Sequence, residues 1–384
     1  MKYLLLFAIG LTFIACNPSK TEKQDETAAE ESNQVEHVVI SYEEGYFSGW
    51  PANFGAWNWG NEILVGFDKG YHKDLGPTMH NIDRDREEWT LFGRSLDGGK
   101  TWTIEDPSPD GRLVARGSSL HGVEPKYPNR VEPTDLKEPI NFGHPDFAMT
   151  FRFLNYNTGP SLIYYSYDRG HSWKGPFNLV VSGEDDILAR TDYVILDHQT
   201  CMAFQSKSKQ DKSEGRPIAT ITRDGGLTWE LVGMIGPEPT GFGIMPSTVK
   251  LSDTEYLTTI RRREDDNRWI DAWRSKDAGK TWELLDPPVK ENGEGNPPSL
   301  IKLADGRLCL TYGVRKEPYS IVAKISEDNG NTWSDEIVLR DDGGGRDIGY
   351  VRSLQRPDGK VITMYYFQDK LKPERYVAAT IWQP

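Results

Sequence analysis

The chain has 384 residues, among them 24 Pro, 37 Gly and 12 Trp, and its formal net charge is -13. This length fits one large domain or two ordinary ones. Frequent Gly and Pro between short aromatic-rich runs are typical of an all-β protein. The negative charge argues against a nucleic-acid partner.

The N-terminus, MKYLLLFAIGLTFIAC, has the pattern of a secretory signal peptide, with a positive charge at Lys2 and an apolar stretch from Leu4 to Ala15. The stretch is too short to span a membrane as a stable helix. Cys16, directly after Phe-Ile-Ala, resembles the lipobox cysteine of bacterial lipoproteins. The resemblance implies cleavage before Cys16 and a lipid on its sulfur. An ordinary secreted protein is the alternative.

The segment after Cys16, NPSKTEKQDETAAEESNQ, is polar, charged and free of aromatic residues, so it cannot bury a core. We therefore divide the chain into a signal peptide (1–15), a lipidated cysteine with a disordered tether (16–36) and a folded domain (37–384). This organisation predicts an exported lipoprotein of the cell envelope. We expect it in the outer membrane, facing either the periplasm or the outside.

Within the folded domain, one octet recurs five times, as SLDGGKTW (95–102), SYDRGHSW (166–173), TRDGGLTW (222–229), SKDAGKTW (275–282) and SEDNGNTW (326–333). Its Asp side chain can accept hydrogen bonds from the amides that follow it. Its Gly permits positive φ, and its Trp can anchor the next strand. The octet therefore predicts a tight turn between two strands. The ligand spacing of an EF-hand calcium loop is absent.

Each octet lies between the third and fourth strands of a unit that has the pattern of four strands. The pattern fits residues 47–106, 187–234, 244–286 and 296–340, and it fits 107–180 less well because the first strand there is ambiguous. Residues 346–384 provide three strands, and we expect HVVISYEE (37–44) to add the fourth from the other end of the domain. Six such units predict an all-β, six-bladed β-propeller of four-stranded blades, with its ring closed by an N-terminal strand.

Octets of this kind resemble the Asp boxes (BNR repeats) of the sialidase-like six-bladed propellers, and the resemblance covers residues 37–384. It is specific for the fold and uninformative about the activity, since many functions share this scaffold. Because strand direction alternates within a blade, we expect the octets at one face and any site at the other. There, guanidinium groups can bind carboxylate or sulfate, and aromatic rings can stack on sugars. The candidate substrate-binding residues are Arg190, Arg261, Arg315, Arg352, His144, Trp50 and Tyr366.

The resemblance also implies a catalytic set. Family sialidases hold the substrate carboxylate with three arginines and use a Tyr nucleophile paired with Glu, together with an Asp acid/base. Tyr350 is similar in placement to the nucleophile, and Arg261, or a neighbour within 261–263, to the second arginine. Asp83 or Asp85 can stand for the acid/base. Met245 occupies the place of the Glu, and Arg315 reaches the third arginine's place only by a different route. Without the Glu, Tyr350 lacks an activating base, so sialidase activity itself is not expected.

Two other chemistries remain open in the sequence. A pair of carboxylates can cleave a glycosidic bond, one as acid and one as nucleophile or base, and the candidates are Asp83, Asp192, Glu264 and Asp271. Alternatively, Tyr350 together with His144 or an Arg suits β-elimination at a uronic acid, with the Tyr as acid and the His as base.

The function that these observations favour is a glycoside hydrolase acting on an anionic glycan, whether uronate-bearing, sulfated or sialylated. A polysaccharide lyase, a non-catalytic glycan-binding lipoprotein and a protein-interaction platform are the alternatives. We expect a monomer and no cofactor. No Cys/His cluster has zinc spacing. We expect Cys201 and Cys309 to be buried free thiols.

Overall fold

The computed structural model describes Met1 and residues 35–384. The predicted signal peptide after Met1, the lipidation site Cys16 and the tether up to residue 34 lie outside the described residues. Residues 35–384 form one unit of six β-sheets arranged as the blades of a propeller. In this part of the chain, no helix is long and apolar enough to cross a membrane.

The first three blades follow the chain from residue 46. The strands of blade one are β2 (Tyr46–Gly49), β3 (Ala56–Trp59), β4 (Glu62–Tyr71), β5 (Glu88–Ser95) and β6 (Thr103–Glu105), with a 3-10 turn at Pro51–Asn53 between β2 and β3. Blade two contains β7 (Ala148–Phe153), β8 (Ser161–Ser166) and β9 (Lys174–Leu179). Blade three contains β10 (Val181–Ser182), β11 (Ile187–Leu188), β12 (Tyr193–Ile195), β13 (Cys201–Ser208), β14 (Glu214–Thr222) and β15 (Trp229–Met234).

The last three blades are more regular. Blade four contains β16 (Phe242–Lys250), β17 (Tyr256–Glu264), β18 (Asn267–Ser275) and β19 (Glu283–Leu284). Blade five contains β20 (Ser299–Lys302), β21 (Leu308–Val314), β22 (Ser320–Ser326) and β23 (Ile337–Arg340). Blade six contains β24 (Gly349–Gln355), β25 (Val361–Phe367), β26 (Tyr376–Trp382) and, from the other end of the domain, β1 (Glu36–Ser41).

The ring closes as the sequence predicts. Strand β1 pairs antiparallel with β26, from Glu36 opposite Ile381 to Ser41 opposite Val377. The outer edge of blade six is therefore covered by a strand from the opposite end of the domain, which joins the first and last segments of the ring.

Blade two is the irregular one. Between Glu105 and Ala148 the described chain forms no strand, so this blade has only β7, β8 and β9. The first strand that the sequence leaves ambiguous is replaced by a long loop, part of which packs its Ile140 and Phe142 into the core beside Trp229. This loop also carries His121, which reaches the central cavity described below.

Small hydroxyl side chains join neighbouring blades near the centre of the ring. Ser247 Oγ accepts the amide of Leu300 at 2.8 Å, and Ser299 Oγ accepts the amide of Ser353 at 3.0 Å. Thr150 Oγ1 donates to the carbonyl of Phe54 at 2.9 Å. These residues are buried, so their hydroxyls are paired as buried polar groups require. The first two bonds join the inner strands of neighbouring blades, and the third joins β7 to the turn that follows Pro51–Asn53 in blade one.

The five octets form the predicted turns between the third and fourth strands of blades one to five. In SKDAGKTW, Asp277 accepts the Thr281 amide at 2.9 Å and the Thr281 hydroxyl at 2.6 Å, and Ser275 Oγ accepts the Gly279 amide at 2.8 Å. Gly279 has φ +87°, which requires glycine. The Thr281 hydroxyl and amide lower the pKa of Asp277 to about 2. The octets are structural turns, as predicted.

The two cysteines of the described range are free and buried, as predicted. Cys201 lies in β13 and Cys309 in β21, in different blades. Burial raises the pKa of the Cys201 thiol well above its usual range. Both thiols therefore act as small apolar core groups.

Candidate active site

A cavity of about 440 Å³ lies where all six blades meet. It is formed where first strands begin, second strands end and third strands begin, at the opposite ends of the strands from the octets. Its lining residues are Trp50, Asn53, His80, His121, Phe153, Tyr156, Arg190, Glu214, Phe242, Ile244, Arg261, Arg263, Arg268, Glu294, Arg315, Arg346 and Tyr350. Two further grooves, of about 510 Å³ each, are built from only one or two neighbouring blades.

Tyr350 is placed in this cavity by a bulge at the start of β24. The register of β24 shifts between Gly349 and Arg352, and Tyr350 has φ 49°. Buried Asn296 holds the bulge, because its Oδ1 accepts the Tyr350 amide at 2.8 Å and its Nδ2 donates to the Ile348 carbonyl at 2.8 Å. A Cβ on Gly349 would lie 2.2 Å from Asn296 Nδ2. Such over-determined backbone strain is frequent at functional sites.

Three arginines surround Tyr350. Arg261 Nη1 donates to the Tyr350 hydroxyl at 3.1 Å, and the Arg315 guanidinium lies 5.5 Å from the Tyr350 ring centroid. Burial raises the pKa of Tyr350, but the charges of Arg261, Arg315 and Arg190 outweigh burial, and the pKa is lowered from 10. The phenolate is therefore stabilised by arginines instead of by a neighbouring base.

Each arginine is held by a different partner. Arg190 donates to Glu214 at 2.6 Å and stacks over the Phe153 ring at 4.4 Å. Arg315 donates to the Ile348 carbonyl at 3.0 Å and to the Tyr366 hydroxyl at 2.6 Å. The buried Nε atoms of Arg190 and Arg261 have no hydrogen-bond partner within the described chain. Both atoms are shielded from solvent, so it is the charge of these arginines that favours an anionic ligand in this cavity.

The charge of the cavity is opposite to that of the whole protein. Arg263, Arg268 and Arg346 join the three inner arginines, so six arginines face only two glutamates, Glu214 and Glu294. Arg346 is paired with Glu294 at 2.9 Å. In a chain with net charge -13, this local excess favours a ligand with a carboxylate or sulfate group.

A histidine and an aspartate form a pair beside Tyr350. His80 Nδ1 lies 2.7 Å from Asp347 Oδ1, and Asp347 is completely buried. Asp347 also accepts the Tyr366 hydroxyl at 2.5 Å and lies 3.2 Å from Arg375 Nε. Burial raises the pKa of Asp347, but His80, Arg375 and Arg315 together lower it well below its usual range.

Aromatic side chains form part of the cavity wall. The His121 ring stacks on Trp50 with centroids 4.3 Å apart and meets the His80 ring edge-on at 5.0 Å. Burial, with the charges of His80 and Arg84, lowers the pKa of His121 to about 3. His121 is therefore neutral at physiological pH and serves as an aromatic surface.

Beneath Trp50, a hollow of about 20 Å³ is lined by Asp68, Glu88 and Arg152. Four polar atoms of its lining residues have no hydrogen-bond partner in the described chain, namely Trp50 Nε1, Asn53 Oδ1, Asp68 Oδ1 and Arg152 Nη1. Burial raises the pKa of Asp68 well above its ordinary value, despite the nearby Arg152 charge. The hollow has the size of one hydroxyl group or one water molecule.

The arrangement suits binding of an anion and nucleophilic or proton-transfer chemistry at a tyrosine. No group of three or more His, Cys, Asp or Glu side chains that could hold a metal ion occurs among residues 35–384.

The sequence of residues 150–363 matches the family model of the BNR repeat-like domain, which covers more than half of the chain. The chain belongs to the BNR repeat-like family. No curated protein sequence matches it. Solved structures similar to this BNR propeller share its fold at low sequence identity.

Three of these structures illustrate the likeness. A protein of unknown function from Dyadobacter fermentans is 20% identical with a TM-score of 0.67, and the match covers 90% of this chain and 98% of that one. A mutant Trypanosoma rangeli sialidase with trans-sialidase activity is 14% identical, with a TM-score of 0.54 and coverage of 91% and 59%. The GH93 α-L-arabinofuranosidase of Fusarium graminearum, in complex with arabinobiose, is 12% identical, with a TM-score of 0.56 and coverage of 92% and 97%. These likenesses show the sialidase-like six-bladed fold.

Five residues proposed from the sequence line the cavity of this BNR propeller, namely Tyr350, Arg190, Arg261, Arg315 and Trp50. A sixth, Tyr366, lies directly behind it, where its hydroxyl bonds Arg315 and Asp347. The structure thus gathers the tyrosine and three of the four predicted arginines. Their strand-end positions were readable from the repeat pattern.

The structure does not bring the four predicted carboxylates into the cavity. Asp83 is in the blade-one loop, paired with Lys73 at 2.9 Å. Asp271 is buried between Arg262 at 2.5 Å and Trp269 Nε1 at 2.6 Å. Glu264 borders a separate groove of about 200 Å³. The two-carboxylate scheme is therefore corrected, because β-strand alternation turns these side chains away from the cavity or leaves them in an exposed loop.

The fourth carboxylate, Asp192, is buried, and the fourth arginine, Arg352, is half-buried close to it. Asp192 accepts the Thr248 amide at 3.3 Å, and burial raises its pKa to about 7 despite Arg352. Arg352 donates to the Ala52 carbonyl at 2.7 Å and also to that of Thr191. Neither residue lines the cavity, so both link the blades instead of contacting a ligand there.

His144 is the remaining correction. Its ring lies 4.8 Å from Tyr167, which belongs to the octet of blade two, and it does not line the cavity. The irregular blade two explains the error, because without a first strand the order of strand ends could not be counted from the sequence.

The sequence approach missed several cavity residues, chiefly His121, Tyr156, Glu214 and the pair His80–Asp347. The available signals were weak. His80 lies in the long loop between β4 and β5 of blade one, three residues before Asp83. Asp347 stands three residues before Tyr350. Neither spacing distinguishes a cavity residue from an ordinary loop residue.

Proposed function

We propose that this protein is a glycoside hydrolase that acts on an anionic glycan. The observation that carries the proposal is the convergence of Arg190, Arg261 and Arg315 on Tyr350 in a cavity of about 440 Å³. This volume suits one or two sugar units. The named activities of the structural neighbours, sialidases and an arabinofuranosidase, support a carbohydrate substrate.

In the proposed mechanism, the buried arginines bind the carboxylate or sulfate of the sugar and Tyr350 attacks the anomeric carbon. Tyrosine nucleophiles are a known departure from the two-carboxylate scheme of glycosidases. Met245, with φ 55°, occupies the bulge of β16 that matches the Tyr350 bulge of β24. No carboxylate from that position adjoins Tyr350, so the arginine charges supply the activation that Glu supplies in family sialidases.

The substrate class within anionic glycans is left to experiment. The purified protein is incubated with sialylated, uronate-bearing, sulfated and neutral glycans, and products are identified by mass spectrometry. We expect release of an acidic sugar with the mass gain of one water. Saturable binding without product from any glycan would replace the hydrolase by the non-catalytic binding alternative.

Elimination at a uronic acid is the second candidate. It is favoured by one observation, that His80 and Tyr350 line the same cavity as the arginines. A lyase would need a base and an acid of this kind. Its product carries a double bond and lacks the added water, so the same mass measurement separates the two reactions.

We also propose that the protein is a lipoprotein of the cell envelope, anchored through Cys16. The signal-peptide pattern and the lipobox-like Phe-Ile-Ala-Cys support this. Mass spectrometry of the mature N-terminus should find a lipid on Cys16, and Cys16→Ser should move the protein from the membrane to the soluble fraction. An unmodified Cys16 in the membrane fraction would contradict the proposal.

A further inference from the structure

The pair His80–Asp347 has the arrangement of an oriented proton-transfer group. Its two residues are 267 positions apart and come from blades one and six. His80 is partly exposed and lines the cavity, whereas Asp347 is completely buried behind it. The rings of Trp50 and His121 meet the His80 ring edge-on at 5.2 Å and 5.0 Å and restrict its rotation.

Asp347 determines which nitrogen of His80 is available. Asp347 is a carboxylate that accepts a hydrogen bond from the Tyr366 hydroxyl at 2.5 Å. It therefore also accepts the hydrogen bond that His80 Nδ1–H donates. The hydrogen bond made by one imidazole nitrogen decides the protonation of the other. His80 Nε2 is thereby left to exchange a proton with a ligand.

The other cavity groups are less suited to proton transfer. Glu214 is held by Arg190 at 2.6 Å, and Glu294 by Arg346 at 2.9 Å, so both carboxylates are already ion-paired. Burial and the charges of His80 and Arg84 lower the pKa of His121 to about 3, so near neutral pH it is not an imidazolium acid.

We infer that His80 is the catalytic acid and base of the glycoside cleavage, with Asp347 as its positioning residue. The inference rests on the proposed hydrolase function. It differs from the scheme expected from the family resemblance, in which an aspartate such as Asp83 has this role. The same network connects the pair to the nucleophile, since Arg315 donates to Tyr366 at 2.6 Å and lies beside the Tyr350 ring.

The step balances in protons and electrons. The cycle begins with His80 as the imidazolium, protonated on both nitrogens, and Tyr350 as the phenolate. The Tyr350 oxygen forms a bond to the anomeric carbon while the bond to the leaving oxygen breaks, and His80 gives that oxygen its Nε2 proton and becomes neutral with Nδ1–H. Neutral His80 then takes a proton from water, whose oxygen attacks the anomeric carbon and releases the Tyr350 phenolate. One water is consumed, and both residues return to their starting forms.

The first test needs no substrate. Nitrogen-15 NMR of the histidine side chains, with His80→Gln to identify the His80 signals among seven histidines, reports which nitrogen carries the proton in the neutral ring. We expect the proton on Nδ1, and Asp347→Asn should shift the population toward the Nε2–H form. A neutral His80 with its proton on Nε2 in the wild-type protein would overturn the inference.

The second test separates catalysis from a structural role through the leaving group. We compare methyl and 2,4-dinitrophenyl glycosides of D-glucuronate and N-acetylneuraminate. His80→Gln should lower kcat on the methyl glycoside by about 10²–10⁴-fold. Release of dinitrophenol in the first turnover should change by less than about 10-fold, because this leaving group needs no proton. Azide, which attacks without a base, should restore steady-state turnover.

His144→Gln is the matched control, because it replaces a histidine outside the cavity and should leave both rates unchanged. Equal losses on the two glycosides in His80→Gln would show that His80 only maintains the cavity and would overturn the inference. If the wild-type protein cleaves no anionic glycoside, the hydrolase proposal fails by itself, and the NMR test still decides whether the oriented pair exists. Thermal unfolding of each variant confirms that it is folded.

Discussion

The two faces of the propeller differ in the range of their side-chain contacts, which are local in sequence at the octets and long-range in the cavity. At the octet face, aspartates accept hydrogen bonds from residues at most four positions away, and the arrangement of Asp277 is repeated at Asp97 and Asp328. At the cavity face, no two blades contribute the same set of side chains, and the contacts join distant residues such as His80 and Asp347, which are 267 positions apart. The repeated face stabilises the fold, whereas the unrepeated face carries the chemistry.

The difference is also electrostatic. An octet carboxylate is stabilised locally by amides and hydroxyls, which lowers its pKa without any ligand. In the cavity, buried arginines are brought close to one another, and the charge of Arg315 adds to burial in lowering the pKa of Arg261. Like charges held together are unfavourable unless a ligand compensates them, so the cavity is prepared for an anion at the expense of stability.

The largest effect should come from the hydroxyl of Tyr350. Tyr350→Phe removes the proposed nucleophile without changing the ring, so turnover of a confirmed substrate should fall by at least about 10³-fold while the substrate still binds. Steady-state kinetics and calorimetry measure the two properties. Tyr42 directly follows β1 and lies outside the cavity, so Tyr42→Phe serves as the control. Turnover within ten-fold of wild type would remove Tyr350 from the mechanism.

A smaller effect is expected from Arg261, which contacts the Tyr350 hydroxyl. Arg261→Met should weaken binding of N-acetylneuraminate or D-glucuronate, whichever the protein binds, by about 10–100-fold. The ultraviolet titration of Tyr350 is obtained by subtracting the titration of Tyr350→Phe from that of the wild-type protein. The pKa of Tyr350 read from this difference should lie below the ordinary value of about 10.

In the Arg261→Met background the same titration should move upward, because one of the charges that stabilise the phenolate is gone. Arg263→Gln, at an exposed position of the same strand, should change affinity much less. Equal losses at Arg261 and Arg263 would indicate a general charge effect instead of a specific contact.

The octet face should respond in stability alone. Asp277→Ala removes the bonds to the Thr281 amide and hydroxyl and should lower the free energy of unfolding by about 1–2 kcal/mol, with turnover unchanged. Because the pKa of Asp277 in the folded protein is about 2, its stabilisation is present above the unfolded pKa of about 3.9. It is lost as the pH falls toward 2.

Urea unfolding between pH 5 and pH 2 measures this difference, and the stability of Asp277→Asn should fall less steeply over that interval than that of the wild-type protein. A loss of activity in folded Asp277→Ala would contradict the conclusion that the octet face stabilises the fold and the cavity face carries the chemistry.

The smallest effect should come from the carboxylates outside the cavity. Asp83 is paired with Lys73 in an exposed loop, and Glu264 borders a separate groove. Exposed ion pairs contribute little, so Asp83→Asn and Glu264→Gln should keep turnover within about two-fold of wild type. A large loss at either position would restore the two-carboxylate scheme.

The sequence by itself determined the ring. Each octet is a local structure in which Ser275, Asp277 and Gly279, for example, satisfy one another within five positions, so its turn can be predicted without knowing the rest of the fold. Regular spacing of the octets then implies the blade order, and the missing fourth strand of blade six implies closure by β1. Even the arginine-rich mouth follows from counting strand ends.

Tertiary structure alone decided which of these side chains meet. Tyr350 faces the cavity because Asn296, 54 positions away, holds its bulge, and His80 is oriented by Asp347 from the far end of the chain. Asp192 and Arg352 each stand two positions after a cavity residue, Arg190 and Tyr350, yet neither lines the cavity. In β24 the register shifts between Gly349 and Arg352. A single residue of register reverses the direction of a side chain, and no local pattern records where a distant blade places its partner.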